Sequence, residues 1–480
     1  MRFILIPDLK VGAIENQLIK CNYKYFCCNF FDLTKKIKML KNLYINNKLY
    51  ISLVALSGIM VIGFIFEIFF IVGKLLVVSI VVLAIIDYLL LFYKKTELVE
   101  AQRILTERLS NGDNNKIHIE VKSHYKILVF IKIVDEIPHQ FQLRNFKIED
   151  VFECEAEKKY QYILRPVERG EYDFGVTNVY VSSKLGLLSR RFRCKNNKTV
   201  SVYPSFIQMR KYELMAISNR LTDAGIKKIR RIANNREFEQ IKEYVVGDDY
   251  RTLNWKATAR RNRLMVNQYQ DEKSQQVYCL IDKGRTMEMP FEGMTLLDYS
   301  INASLVISNI AMQKQDKAGL LTYSNTIDNI LPANRTSKQM QLIMETLYKQ
   351  TTDFAETNFE QLVSTVKYKI RQRSLLLIFT NFEGITSLQR QMKFLKRLAT
   401  NHLVVLILFE NTEINKIIDN EATSVEKVYI KTIAEKHRYE KKQMVMELQK
   451  HGIHSILTEP EHLTVNTINK YLEIKAMGLI

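Results

Sequence analysis

Two long apolar runs, separated by a single glycine–lysine pair, constrain this chain more than any other part of its sequence. The first run covers residues 49–72 and the second covers residues 75–93, with Gly73 and Lys74 between them. Each run is long enough to cross a hydrocarbon core about 30 Å thick at about 1.5 Å per residue. Only two acidic residues interrupt the runs, Glu67 and Asp87. The pattern predicts a transmembrane helical hairpin that turns at Gly73 and Lys74; the competing interpretation is a buried hairpin of a soluble core.

The flanks of the two runs predict the orientation of this hairpin. The turn carries only Lys74, whereas basic residues cluster on both outer flanks: Lys35, Lys36, Lys38, Lys41, Lys48, Lys94, Lys95, Arg103 and Arg108. The positive-inside rule therefore predicts a two-pass protein of a bacterial inner membrane with both termini in the cytosol. Residues 1–38 lack the apolar stretch of a signal peptide, and we interpret them as an over-extended gene start before Met39.

The net charge of the chain points to an acidic partner. The formal charge is +19 at neutral pH, which favours anionic lipid, nucleic acid or an acidic protein surface. The six cysteines form no C-x-x-C pair, so we expect reduced thiols rather than a paired-cysteine zinc site or a disulfide framework.

Six segments follow from the hydrophobic pattern. A leader and basic flank (1–48) precede the hairpin (49–93), and a short helix is predicted over 96–110. Residues 116–205 alternate with a period near two and carry regular turn residues, which predicts a small β-sandwich. A polar linking segment (206–274) leads to the last segment (275–480).

The last segment alternates apolar strands with amphipathic helices. Strands are predicted over 277–281, 318–323, 374–380, 402–409 and 455–457, with helices between them. Near-continuous apolar strands are typical of a parallel sheet covered on both faces. We therefore predict a doubly wound α/β domain over 275–480, and in such a sheet ligands bind at the carboxyl ends of the strands.

Three short motifs are expected to meet at those strand ends. The first predicted strand ends in Asp282-Lys-Gly-Arg-Thr286, the third ends in Thr380-Asn-Phe-Glu383, and Glu356-Thr-Asn358 opens a helix between them. This order resembles the metal-ion-dependent adhesion site of von Willebrand factor A domains.

A longer signature precedes these motifs. Arg236-Glu-Phe-Glu239, Glu243-Tyr-Val-Val-Gly-Asp-Asp-Tyr-Arg251 and Leu253-Asn-Trp-Lys-Ala-Thr-Ala-Arg260 follow one another and resemble the bacterial domain-of-unknown-function family fifty-eight. The resemblance implies an N-terminal membrane hairpin, a von Willebrand factor A-like doubly wound sheet and work with a MoxR-type AAA ATPase. The biochemical function of that family is poorly defined.

The predicted adhesion site departs from its family pattern. Asp282, Thr286 and Thr357 fit the pattern, and hard oxygen ligands of this kind suit Mg²⁺. Gly284, however, replaces an expected serine, and Asn381 replaces an expected aspartate. We expect a degenerate site that binds Mg²⁺ poorly. One physical alternative to a metal is that Arg285 pairs with Asp282 and replaces the ion electrostatically.

The basic segment before the domain has three interpretations. Arg251, Trp255, Lys256 and Arg260 could form a docking surface beside the strand ends, since arginine and aromatic residues anchor interfaces. Alternatively, Glu239, Asp248 and Asp249 pair with Arg251 and Arg260 while Trp255 packs under the domain. A third interpretation places a basic face on anionic membrane lipid.

The function predicted from the sequence is protein binding rather than catalysis. The chain lacks a G-x-x-x-x-G-K-[ST] loop and a G-x-S-x-G elbow. We expect a partner to bind at Asp282, Gly284, Arg285, Thr286, Thr357 and Asn381. The alternative is a metal-dependent hydrolase that uses Asp248, Asp249 and Asp282. Nucleic-acid binding is disfavoured by the membrane anchor.

Overall fold

A computed structural model describes residues 42–93, 98–217, 236–271, 274–291, 293–352, 354–421 and 424–479. Its internal contacts divide this part of the chain into two compact units. The first unit consists of the described residues up to Thr106, with Lys116–Ile163 and Asp173–Val200. The second consists of Glu107–Asn115, Leu164–Tyr172 and the described residues from Ser201 onward. Residues 1–38, interpreted above as an over-extended gene start, lie outside the described residues.

The apolar runs form two helices that break earlier than predicted. Helix α1 spans Asn47–Gly63 and helix α2 spans Glu67–Phe92. The predicted turn at residues 73–74 is wrong, since both of those residues lie inside α2. The chain turns after Gly63, where a Cβ atom would lie only 2.8 Å from the backbone nitrogen of Phe70. Gly63 therefore permits the close approach that the turn requires.

Gly73 contributes to the contact between the two helices. A Cβ atom at Gly73 would lie 2.9 Å from the Sδ atom of Met60 in α1, and small residues let membrane helices approach closely. Helix α2 is long and apolar enough to cross a membrane, whereas α1 is a shorter apolar helix.

The N-terminal half of the described chain is rich in β-structure. Its strands are β1 Leu43–Ile45, β2 Val99–Ile104, β3 Arg108–Ser110, β4 Asn115–Ser123, β5 Val129–Asp135, β6 Ile148–Phe152, β7 Glu157–Leu164, β8 Gly170–Phe174, β9 Thr177–Ser182, β10 Leu188–Cys194 and β11 Lys198–Tyr203. One sheet has the order β1–β10–β9–β5–β6, and two others have the orders β2–β4–β7 and β3–β11–β8. Strands such as β4 and β5 alternate buried and exposed side chains, as strands with one face toward a core do.

The helix predicted over residues 96–110 is wrong. Strand β2 buries Val99, Ala101 and Arg103 and exposes the residues between them. Arg103, which the orientation argument used as a basic flank residue, donates from Nε to Oδ2 of Asp135 at 2.9 Å inside the β-rich region. Because one inward-facing position of β2 is an arginine, the sequence does not show the alternation of apolar and polar residues that marks a strand.

The C-terminal half combines helices with a mostly parallel sheet. Its strands are β12 Arg236–Glu243, β13 Met265–Asp271, β14 Gln276–Asp282, β15 Pro290–Phe291, β16 Met294–Thr295, β17 Lys317–Tyr323, β18 Ile327–Asn334, β19 Leu375–Phe379, β20 Leu403–Phe409 and β21 His454–Thr458. Its helices are α3 Phe206–Ile217, α4 Trp255–Arg261, α5 Leu296–Gln313, α6 Gln339–Tyr348, α7 Phe359–Lys369, α8 Ile385–Asn401, α9 Thr412–Asp419, α10 Val425–Lys450 and α11 Leu463–Met477.

The large sheet of this half has six strands in the order β18–β17–β14–β19–β20–β21. All neighbours pair in parallel except β18, which pairs antiparallel with β17 at the edge. Alternate residues of β14 enter two separate cores: Cys279 packs with α5 and α11 on one face, and Leu280 packs with α7, α8 and α10 on the other. The predicted α/β architecture is therefore present, with helices on both faces of the sheet.

The helices follow from amphipathic periodicity. In α8 the buried residues Leu388, Met392, Leu395 and Leu398 recur at helical spacing, which places them on one face. The sheet order reverses direction at β14, because β17 lies on one side of it and β19 on the other. Such a reversal opens a crevice at the carboxyl ends of the strands.

Candidate functional site

The strand-end edge at the reversal brings the three predicted motifs together. Asp282 is the last residue of β14, and Thr380 follows the end of β19. Five of the predicted site residues line one open cavity of about 190 Å³ at this edge: Asp282, Arg285, Thr286, Thr357 and Asn381. We call this region, including Gly284 and Thr380, the strand-end edge.

Asp282 is held by three hydrogen-bond donors. Thr357 Oγ1 donates to Oδ1 at 2.7 Å, and the backbone nitrogen of Gly284 donates to the same oxygen at 2.8 Å. Thr380 Oγ1 donates to Oδ2 at 2.6 Å. The residue is 1% exposed. Burial raises the pKa of the Asp282 carboxyl, and the three hydrogen bonds oppose that rise.

Gly284 makes this arrangement sterically feasible. A Cβ atom built on Gly284 would collide with Thr357 Oγ1 and would lie 3.0 Å from Asp282 Oδ1. The glycine at the expected serine position therefore lets Thr357 reach Asp282 directly. The sequence marked this position as a lost ligand, and the structure shows a close approach instead.

Arg285 does not have the predicted partner. Its Nη2 lies 3.4 Å from Oε1 of Glu383, and both side chains are largely exposed. The predicted pairing of Arg285 with Asp282 is wrong, because the oxygens of Asp282 are already bound to threonine hydroxyls and a backbone amide. Arg285 and Glu383 thus form a polar rim on the strand-end edge.

A buried lysine from helix α10 reaches the same edge. Lys441 Nζ donates to Oδ1 of Asn381 at 2.6 Å and to the carbonyl oxygen of Phe382 at 2.8 Å. The side chain is only 4% exposed, and burial lowers the pKa of Lys441 to about 8. Asn381, at the expected aspartate position, therefore accepts a hydrogen bond from an internal cation.

The oxygen atoms at the strand-end edge are poorly suited to bind a divalent cation. The carboxylate oxygens of Asp282 already accept three hydrogen bonds, Gly284 offers no hydroxyl, and an ammonium group occupies the amide oxygen of Asn381. A Mg²⁺ site needs several free hard oxygens around one position. Within the described ranges, no group of three or more His, Cys, Asp and Glu side chains is placed to hold a metal ion.

The carboxylates of the hydrolase alternative have separate partners. Asp248 accepts from Lys242 Nζ at 2.9 Å, and Asp249 accepts from the backbone nitrogen of Arg251 at 3.0 Å. Both residues follow β12 in the β12–β13 hairpin, and none of the contacts described for them involves Asp282.

A second and larger cavity adjoins the first. Its volume is about 600 Å³, and it shares Arg285, Thr286, Asn381, Phe382 and Glu383 with the smaller cavity. Apolar side chains form much of its wall, and the remaining side chains are polar or charged: Met289, Phe291, Phe409 and Ile414, with Glu288, Asn411, His437 and Lys441. The strand-end edge is therefore a concave surface that combines apolar walls with a charged rim.

The signature segment forms a small hairpin with its own helix. Trp255 begins α4 and is 70% exposed, so the interpretation in which it packs under the domain is wrong. The guanidinium of Arg251 lies 5.8 Å from the ring centre of Tyr250. A docking surface at Arg251, Trp255, Lys256 and Arg260 stays a prediction.

Sequence reasoning named Thr380 only as part of the motif that ends the third predicted strand, without a role at the site, and it missed Lys441. Thr380 directly follows an apolar strand, and that position was a usable signal for a side chain at the edge. Lys441 had no such signal, because it enters from the middle of α10 and its partner Asn381 is distant in sequence.

The family match covers the β12–β13 hairpin and most of the six-stranded sheet. Residues 240–447 match the family described as "Protein of unknown function DUF58". The uncharacterized protein YeaD of Bacillus subtilis (strain 168) is 28% identical over 124 residues, which is 25% of this chain and 30% of YeaD. The match thus spans under a third of the length of that relative.

Two solved structures share a weak overall likeness with the chain. The conserved hypothetical protein BatB from Bacteroides thetaiotaomicron aligns with 42% of this chain and 98% of its own, at 10% identity and a TM-score of 0.29. The CARDB domain of a Pyrococcus furiosus protein aligns with 22% of this chain and 94% of its own, at 11% identity and a TM-score of 0.16.

Proposed function

We propose, from the premise that residues 240–447 belong to the DUF58 family of proteins of unknown function, that this chain is a membrane-anchored protein-interaction module. Its partner binds at the strand-end edge, and the chain performs no covalent chemistry there. The observation that carries the proposal is the concave edge itself, where cavities of about 190 and 600 Å³ share one charged rim.

The chemistry of the edge supports binding over catalysis. Its one buried carboxylate, Asp282, is bound by threonine hydroxyls and an amide rather than poised beside a histidine base or a nucleophile. Interfaces draw their affinity from apolar and arginine anchors within a polar rim. The apolar wall at Met289 and Phe291 with Arg285 at the mouth has that composition.

The fold assignment in this proposal is von Willebrand factor A-like. The parallel strand order and the position of Asp282 as the last residue of β14, the first strand of the large sheet in the chain, support it. The metal-ion-dependent adhesion site is degenerate in this proposal, with hydrogen-bond donors and Lys441 in place of Mg²⁺.

The anchor in this proposal is the helix pair. Helix α2 is long and apolar enough to span a bilayer, and α1 has 17 residues, near the lower limit of about 17 for a spanning helix. Most apolar side chains of both helices are exposed, as lipid contact requires. We assign a two-pass topology in the inner membrane, with both termini cytosolic.

The proposed partner is a MoxR-type AAA ATPase acting in assembly, maturation or stress response. This assignment rests on the family resemblance. Anionic membrane lipid is a second proposed partner, and nucleic acid is not part of the proposal.

The docking proposal is tested by charge reversal at the rim. We expect Arg285→Glu in the full-length tagged chain to reduce recovery of the partner from native membranes by about tenfold or more, as loss of an arginine anchor does. The measurement is quantitative mass spectrometry of the co-purified proteins.

The matched control is Lys349→Glu, which reverses an equally exposed charge at the end of α6, away from both cavities. Equal loss in both variants would assign the effect to net charge and would overturn the docking edge. If a protein other than an ATPase is recovered and its recovery is lost in Arg285→Glu, the docking edge is supported and the ATPase assignment is contradicted.

A further inference from the structure

The end of helix α2 is fastened to the β-rich region by hydrogen bonds. The carboxylate of Asp87 is fully buried and accepts from the hydroxyl of Ser183 and from the backbone nitrogens of Leu187 at 3.0 Å and Leu188 at 2.8 Å. One turn later, the carbonyl oxygen of Leu91 accepts two further side-chain donors. The last turns of α2 are therefore held in one position against the β-rich region.

The two donors to Leu91 also fix the adjacent loop. Tyr125 Oη donates to the carbonyl oxygen at 3.0 Å, and Arg190 Nη1 donates at 2.9 Å. The guanidinium of Arg190 additionally lies 4.7 Å from the ring centre of Phe92. A cation at this position offsets the partial negative charge of a helix C-terminus.

A preformed notch lies between the fastened helix end and this loop. Its volume is about 580 Å³, within the range of about 300–1,000 Å³ found for ligand sites. The helix contributes Ile86, Leu89, Leu90 and Tyr93, and the other wall is Leu98 with residues 124–127. The notch is apolar on its helix side and carries Lys126 on the opposite wall.

Among the described residues that line the notch, Lys126 carries the formal positive charge. Its side chain is exposed, and within the described ranges it takes part in no salt bridge. The neighbouring His124 lies 4.0 Å from a carboxylate oxygen of Glu100. An anionic group that enters the notch would therefore meet the Lys126 ammonium first.

We infer that this notch is a binding site for one anionic phospholipid. Its acyl chain lies along Ile86, Leu89 and Leu90, and its phosphate meets Lys126. The inference rests on the proposed membrane anchor, because the helix wall of the notch is continuous with the exposed apolar surface of α2 that the bilayer covers. A spanning helix leaves the hydrocarbon at headgroup depth, and cationic residues near that depth attract anionic lipid.

The test uses the full-length chain in mild detergent with equal amounts of phosphatidylglycerol and phosphatidylcholine, and native mass spectrometry counts the retained lipids. We expect one retained phosphatidylglycerol, preferred over phosphatidylcholine by about fivefold or more. Lys126→Gln should abolish that preference, and Leu90→Trp, which fills the notch, should remove the retained lipid of either kind.

The matched control is Lys122→Gln, a lysine on strand β4 whose Nζ lies 3.2 Å from Glu157 and which does not line the notch. It should keep the preference. Equal retention of both lipids, unchanged by Lys126→Gln, would overturn the site. Alkaline carbonate washing of native membranes separates the two proposals: release of the chain overturns the anchor, whereas retention without lipid preference overturns only the notch.

Discussion

The Asp282 carboxyl shows at the scale of one residue how a metal-type position can be filled by the protein itself. Three donors satisfy its oxygens, and Gly284 leaves room for one of them. The remaining cost is desolvation, which raises the pKa of the carboxyl above its usual value. Charge on this residue therefore opposes folding at neutral pH.

The pH dependence of stability should reveal that cost. A raised folded-state pKa means that the native state binds the proton more tightly than the unfolded state, so stability falls as pH rises above about 3.9 and through the folded pKa. We expect Asp282→Asn to lose this fall and to unfold at a midpoint higher by on the order of 2–4 °C at neutral pH. Thermal unfolding of the full-length protein at pH 5 and pH 8 measures the difference.

Thr357→Val should shift the unfolding midpoint in the opposite direction. It removes one hydrogen-bond donor, which leaves the buried Asp282 carboxylate less stabilised. It should unfold at a lower midpoint than the parent protein, and most clearly at pH 8. Equal destabilisation by Asp282→Asn at both pH values would contradict this expectation. It would mean that the hydrogen bonds to the carboxylate stabilise the fold by more than burial of its charge destabilises it.

The sequence predicted much of this site but not its electrostatics. The carboxyl ends of β14 and β19 had to meet once the strands were recognised, so Asp282, Thr357 and Asn381 were placed correctly. The wrong pairing of Arg285 arose because sequence shows which charges are near in the chain, not which oxygens are already occupied. Lys441 depends on the packing of α10 against the sheet, and no motif encodes that packing.

At the scale of elements, the strands and helices of the large sheet were the most predictable part of the chain. The helix predicted between the first two strands corresponds to α5, because its apolar periodicity is long and Thr295 caps its N-terminus. The antiparallel edge strand β18 was missed, since none of its residues is fully buried and its hydrophobic pattern is weak. Short elements such as β2 depend on tertiary partners instead.

The junction of α2 with the β-rich region gives a prediction at this scale. Asp87→Ala would leave the Ser183 hydroxyl and the backbone nitrogens of Leu187 and Leu188 without their acceptor. Loss of buried hydrogen bonds costs about 1–3 kcal/mol, which corresponds to about fivefold to a hundredfold faster hydrogen exchange in the affected segment. Exchange mass spectrometry over residues 183–188 measures this effect.

Glu67→Ala is the control for that experiment, since Glu67 is the exposed first residue of the same helix. It should leave exchange over 183–188 unchanged. If exchange is also unchanged in Asp87→Ala, other contacts hold the loop. That result would contradict the proposal that Asp87 fastens the end of α2 to the β-rich region.

At the scale of the whole molecule, the number of membrane passes decides which surfaces a cytosolic partner can reach. A two-pass chain with cytosolic termini places the β-rich region and the six-stranded sheet in the cytosol, whereas a single pass through α2 would leave α1 on the opposite side of the membrane. The basic flanks favour two passes, although Arg103 is buried on Asp135 and no longer contributes to that argument.

Reporter fusions test this topology. We expect green fluorescent protein at the C-terminus to fluoresce and alkaline phosphatase there to be inactive, because both termini are cytosolic in the proposal. An epitope inserted after Ile65, between α1 and α2, should be accessible from outside in spheroplasts. Accessibility only after lysis would contradict the two-pass topology.

The loop before β10 holds both ends of the helix pair at one residue, Leu187. The backbone nitrogen of Asn46, just before α1, donates to the carbonyl oxygen of Leu187 at 3.0 Å, and the nitrogen of Leu187 donates to Asp87 near the end of α2. Because the helix pair is bound to the sheet at both ends, it cannot rotate independently of the sheet. A thicker or thinner bilayer that changes the tilt of these helices would therefore also rotate the sheet.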